Sequence, residues 1–251
     1  MGYDIAIVRP PVPESDADAW QSLPALIEDE GTAPDVFRDI HDHLVARYPC
    51  ITTLSDEESD NGVWKDGPLW GNFRSRAAVL GIVYSHADEV VPFVIDAAIS
   101  RGFAVFDWTT QLVHRPGGYQ HLVLNLEDRA TLRAPTLSQL EAASDALTPD
   151  GGPGFLTLET GGGDYIQIAG GRGSFTLEWR TYEGSAFRHW VAGKGTALDV
   201  DIKIPTNGFH VTVKRHEQLT ATDVKTLLSA FANGNGRPTG YTWRDITAQF
   251  T

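Results

Sequence analysis

Between Gly151 and Tyr182, apolar and polar residues alternate with a period of two in three successive stretches, GGPGFLTLE, DYIQIAGG and GSFTLEWRTY, each separated from the next by glycines. In a strand, alternate side chains point to opposite faces, so this pattern predicts an antiparallel meander with one face buried. IPTNGFHVTVKRHE continues the strand-rich pattern, LTATDVKTLLSAFANG changes to helical spacing, and GRPTGYTWRD closes the chain.

The first half reads differently. Tyr3 to Val8 is alternating and β-branched, a strand stopped by Pro10, Pro11 and Pro13. Asp16 is placed to cap a short helix through Leu26. Pro34 suits the first turn of a second helix, with Thr32 as its cap. There Val36, Phe37, Ile40, Leu44 and Tyr48 fall on one face, and Pro49 ends the run. Residues 52–74 read as a polar loop carrying Trp64 and Trp70. Arg76–Ser85 reads as a buried strand and Ala87–Arg101 as a helix with Val90, Val91, Val94, Ile95 and Ala98 inward, Ser85 serving as its N-cap. Phe103–Thr109 and Tyr119–Leu126 complete the strands, and Leu137–Leu147 is helical. The expectation is an α+β protein of two subdomains, residues 1–130 and 131–251. The first is of the split-βαβ kind, and the second is an antiparallel meander with flanking helices.

Charge sharpens that division. Of the net −13 over 251 residues, residues 1–134 carry 21 acidic and 10 basic side chains, and residues 135–251 carry 12 and 10. Two acidic clusters stand out, Glu28-Asp29-Glu30 and Asp56-Glu57-Glu58 with Asp60. Such a half repels nucleic acid and anionic lipid and attracts a basic partner. The single cysteine, Cys50, excludes an internal disulfide. MGYDIAIVRPP lacks the pattern of a signal peptide, and no apolar run reaches membrane length, so a cytoplasmic location is expected.

Motifs for catalysis fail on geometry. His41 and His43 are two apart, which on a helix points them about 200° apart. His114 and His121 have no Cys or carboxylate at ligand spacing. GGGDYIQIAGGRG leads into a strand rather than a helix, and Gly193-Lys194-Gly195-Thr196 lacks the upstream glycine of a phosphate loop. Ser85-His86-Ala87-Asp88 contains triad residue types, but no strained elbow presents the serine. No catalytic residue, metal or cofactor is therefore expected. The seven tryptophans are the better lead, because Trp is enriched at binding hot spots. Trp108, Trp179 and Trp190 lie in strand patterns and suit a core. Trp64 and Trp70, beside the acidic loop, are candidates with Asp56, Glu57, Glu58 and Asp60 for a partner-binding surface.

From Thr136 to Asp245 the order of pieces resembles the type-one immunity family of bacterial polymorphic toxin systems. The resemblance rests on TLSQLEAASDALTPDGGPG, on Leu158-Glu159 and Leu177-Glu178-Trp179, and on Gly236-Arg237-Pro238 followed by Trp243. The first 130 residues resemble another small α+β domain found in uncharacterised bacterial proteins. The family resemblance implies a non-enzymatic antitoxin of interbacterial competition that binds a cognate toxin and covers its active site, with Trp243 sealing the C-terminal core. The acidic first half suits a basic toxin of the nuclease or deaminase class. The alternative is a non-enzymatic adaptor or self-associating protein, a homodimer for example. An enzyme with a site of unfamiliar pattern is the third reading.

Overall fold

The computed structural model of the chain describes residues 2–250. These form two compact units, divided between Gly117 and Gly118. Both mix helices with antiparallel sheet, and the fold class is α+β.

The first unit runs through β1 (Gly2–Val8), α1 (Asp16–Ile27), α2 (Val36–Arg47), the single turn α3 (Asp56–Ser59), β2 (Ala77–Val83), α4 (Ala87–Ile99), β3 (Ala104–Asp107) and β4 (Leu112–His114). Its sheet has the order β2-β1-β3-β4. β2 and β3 are both antiparallel to β1, so β2, α4 and β3 form a split βαβ with β1 in the gap. Alternation along β1 divides the core. Ala6 and Val8 pack with Ala19 and Leu23 of α1, and with Phe106 and Val113. On the register that carries Ile5, Leu80 is its partner, and α4 buries Val90, Val91, Val94, Ile95 and Ala98.

Local details differ from expectation where short polar side chains compete for one role. Ser15, not Asp16, caps α1, accepting from the Asp18 N–H at 3.4 Å. Asp35 holds the N-cap position of α2, while Thr32 bridges to Arg74 instead. The expected apolar stripe of α2 loses Val36, which is exposed at the first turn. Ser85 lies in a 3-10 turn, and His86 precedes α4. The 52–74 segment is more ordered than a loop. Trp64 bridges to Ile82 and Phe73 to Ala78 along the outer edge of β2, shielding a strand edge that would otherwise invite pairing.

The second unit comprises β5 (Leu122–Leu126), β6 (Leu132–Arg133), α5 (Leu137–Asp145), β7 (Phe155–Thr160), β8 (Tyr165–Gly171), β9 (Ser174–Glu183), β10 (Ala186–Gly193), β11 (Asp201–Thr206), β12 (Phe209–Lys214), α6 (Ala221–Ala232) and β13 (Thr242–Asp245). Seven strands form one sheet in the order β13-β10-β9-β8-β7-β5-β6. The expected meander is its centre. The boundary expected at residue 130 is too late, because β5 pairs with β7 through Leu122↔Thr160 to Leu126↔Leu156 and so belongs to this sheet.

Leu156, Leu158, Ile166, Ile168, Leu177 and Trp179 are buried on one face, where Trp179 meets Phe231 of α6 edge-on at 5.1 Å. A capping box closes each helix start, Thr136 with Gln139 and Thr220 with Asp223. Two glycines make room for the separate β11–β12 hairpin. A Cβ on Gly170 would fall 3.1 Å from Ile204, and one on Gly154 would meet Thr206 and Asn207.

Candidate functional site

The partner-binding candidates divide into a surface and a core. Asp56, Glu57, Glu58 and Asp60 are all exposed. The carboxylates of Asp56, Glu57 and Asp60 enter no ion pair and accept no hydrogen bond among the described residues, Asp56 accepting from the Ser59 hydroxyl only through its backbone carbonyl. Glu58 has a local role. Its carboxylate accepts from the Ser55 N–H at 3.1 Å and the Ser55 hydroxyl at 2.8 Å, which starts α3 and lowers its pKa. The other acidic triplet likewise spends one member. Asp29 accepts from the Ser75 hydroxyl and from the Gly31 N–H, and these bonds lower its pKa.

Trp64 is not a surface residue. It is fully buried, and its indole N–H donates to the Tyr48 carbonyl at 2.8 Å, pinning the segment against β2 and the end of α2. Its position beside the acidic loop in sequence says nothing of its direction, and the β2 edge takes it inward.

Trp70 is half-buried and held on several sides. Phe73 stacks on it at 5.3 Å, the His41 ring meets it edge-on at 5.2 Å, and the Arg38 guanidinium lies 4.3 Å from its centre. Arg38 and His41 stand three apart on α2, hence on one helix face. That spacing was visible in the sequence, whereas their meeting with Trp70 across some thirty residues was not.

Beside this stack opens a cleft of about 340 Å³. Val45, Pro49, Pro68, Leu69, His41 and Trp70 line it. Cys50, Thr52 and Thr53 also line it. The Cys50 Sγ accepts from the Leu69 N–H at 3.2 Å and lies 3.2 Å from the Thr52 hydroxyl. Burial pushes this thiol up, but the hydrogen bonds from Thr52 and Leu69 outweigh it and bring it below its ordinary value. Thr53 donates to the Cys50 carbonyl at 2.7 Å.

A second polar cluster lies on the less buried face of the large sheet. Cross-strand register sets Arg180 opposite both Tyr165 and His189, with Glu159 beside Tyr165. Arg180 donates to His189 Nδ1, with Nη2 2.7 Å away, while its guanidinium lies over Tyr165, Phe187 and Phe250. An Nδ1 that accepts must carry its proton on Nε2. Nε2 is 3.0 Å from Glu178 but out of line for a hydrogen bond. Phe250 stacks on the imidazole at 4.6 Å. The His189 ring is thus buried and enclosed by Arg180 and Phe250.

No family model matches the chain, and neither a curated protein nor a solved structure does.

The remaining motifs find structural partners. Lys194 pairs with Asp223, which also accepts from Tyr241 at 3.1 Å and from Thr220. Gly170, Gly171 and Gly173 adopt positive φ at the hairpin turn. Trp179 is buried as expected, but Trp108 and Trp190 are only half-buried. His114 lies in the first unit and His121 in the second. Among the described residues, no three His, Cys, Asp or Glu side chains gather as a metal cage, and no helix is long and apolar enough to cross a membrane.

Proposed function

We propose that this protein is a non-catalytic immunity protein whose acidic first unit binds a basic toxin and obstructs its access to nucleic acid. The observation that carries the reading is the imbalance of charge. Residues 1–117 carry 19 acidic against 8 basic side chains, and residues 118–251 carry 14 against 12. In the first unit Arg47, Lys65, Arg101 and Arg115 are already committed to Glu89, Asp4, Asp39 and Asp16. The exposed acids of the 56–60 turn are left without cations, and an outside partner rich in Lys and Arg would neutralise them.

Enzymes that act on nucleic acid carry basic grooves, because phosphate neutralisation dominates their substrate affinity. An acidic inhibitor competes for the same groove and gains encounter rate from the same field. The resemblance of residues 136–245 to the type-one immunity family points the same way, and the caged His189 suits a binding role. Co-expression with the product of the gene immediately upstream, followed by purification on a tag placed on that product alone, tests the reading. A stoichiometric complex with suppressed toxicity supports it, and a toxin that neither binds nor is neutralised refutes it.

Self-association is the second reading. It is favoured by β12, which pairs with β11 on one side only and exposes Phe209 at its start. Light scattering after gel filtration separates a dimer from a monomer.

A further inference from the structure

The cleft beside Trp70 has polar groups, but they are engaged with one another. Cys50 is occupied by Leu69 and Thr52, Thr53 by the Cys50 carbonyl, and the His41 Nδ1 by Asp42 at 2.9 Å. What the cleft offers an occupant is therefore apolar wall: Val45, Pro49, Pro68, Leu69 and the edge of Trp70. At about 340 Å³ it lies at the small end of ligand pockets, about 300–1,000 Å³, and admits one large side chain.

The rim is acidic. Asp42 sits on the helix next to His41, and Asp66 lies close enough to Cys50 to raise its thiol pKa. Thr53, in the lining, is followed by the start of α3 and the exposed Asp56, Glu57 and Asp60. Apolar walls with Asp42 and Asp66 beside them, in a unit that carries 19 acidic against 8 basic side chains, match an apolar anchor flanked by basic residues. Trp70 suits a rigid anchor wall, because Phe73, His41 and Arg38 hold its ring before anything binds.

We infer that this cleft is the anchor site of the first unit, taking one aromatic or large aliphatic side chain from a Lys- or Arg-flanked segment of the toxin. The inference rests on the immunity reading for the identity of the partner, and its test does not need that partner. Three capped tripeptides, Lys-Trp-Lys, Lys-Ala-Lys and Glu-Trp-Glu, are titrated into ¹⁵N-labelled full-length protein. The Trp70 indole N–H, assigned with Trp70→Phe, is followed, along with the rate at which iodoacetamide alkylates Cys50.

The expected result is that Lys-Trp-Lys binds at least about tenfold more tightly than either other peptide and slows alkylation. Val45→Trp, which fills the cleft from α2, is expected to abolish both effects without lowering the melting temperature. Equal behaviour of the three peptides, or binding undiminished in Val45→Trp, overturns the inference. With a captured toxin in hand the two ideas separate. Wild-type affinity for Val45→Trp removes the anchor and leaves the immunity reading intact. A cleft selective for Lys-Trp-Lys in a protein that captures no toxin keeps the anchor and rejects that reading.

Discussion

The guanidinium of Arg237 lies 3.5 Å from the centre of the Trp190 ring. Trp243 is 5.5 Å from the same cation and donates its indole N–H to the Pro238 carbonyl at 3.2 Å. Trp243 in turn meets Trp179 edge-on at 5.6 Å. The Gly-Arg-Pro sequence and the tryptophan that follows it therefore form a clasp holding β13 onto β10. Arg237→Ala is expected to destabilise the protein by about 0.5–1 kcal/mol, as for a cation–π contact made by an exposed side chain. Urea unfolding followed by tryptophan emission checks it, and an unchanged midpoint would mean the clasp contributes nothing.

His114 is a buried histidine, with about 5 % of its surface exposed, and neither ring nitrogen has a hydrogen-bond partner among the described residues. Burial pushes its pKa below the ordinary value, and Asp107, Asp16 and Asp96 only partly oppose that. The unfolded chain takes up this proton at about pH 6.5, above the folded pKa. Stability is therefore full above that pH and falls as the pH drops through it. His114→Phe is expected to flatten the decline in melting temperature between pH 7 and pH 5. Parallel curves for variant and wild type would contradict this.

Asp223 is a buried acid of the second unit that holds several partners. Burial would raise its pKa, but hydrogen bonds from Lys194, Thr220 and Tyr241 outweigh that and hold it at about 2. Its contribution is complete above the unfolded value of about 3.9 and is lost as the pH falls towards 2. Asp223→Ala removes the carboxylate half of the α6 capping box, which accepts from Thr220, together with the buried acceptor of Lys194 and Tyr241. A loss of about 2–3 kcal/mol at pH 7 is expected, shrinking below pH 3, and chemical denaturation at the two pH values measures it.

Periodicity made most of this fold legible. Strands β7, β8 and β9 and helix α6 stand where alternation and helical spacing put them, because each buries one face. Features that depend on contacts distant in sequence were hidden. Nothing in residues 56–70 distinguishes Trp64, drawn inward by the β2 edge, from Trp70, left at a cleft. The 1–130 boundary failed because β5 follows the first unit in sequence but finds its partner in β7. Among the acids, exposure was readable from composition. The capping role of Glu58 was also in plain view, as a glutamate three residues after Ser55.

That role determines how the central claim should be tested. Asp56, Glu57 and Asp60 can be neutralised together, Glu58 being kept for its bonds to Ser55. Mutual repulsion among exposed acids is worth a few tenths of a kcal/mol at most, so Asp56→Asn, Glu57→Gln, Asp60→Asn should leave the melting temperature unchanged or slightly raised.

The most direct measurement is the association rate of wild type and this triple variant with the captured toxin, by stopped flow from low to high salt. The wild-type rate is expected to fall steeply with salt, and the variant to associate about tenfold more slowly at low salt and to converge on the wild type at high salt. A wild-type rate indifferent both to salt and to these three substitutions would contradict the account.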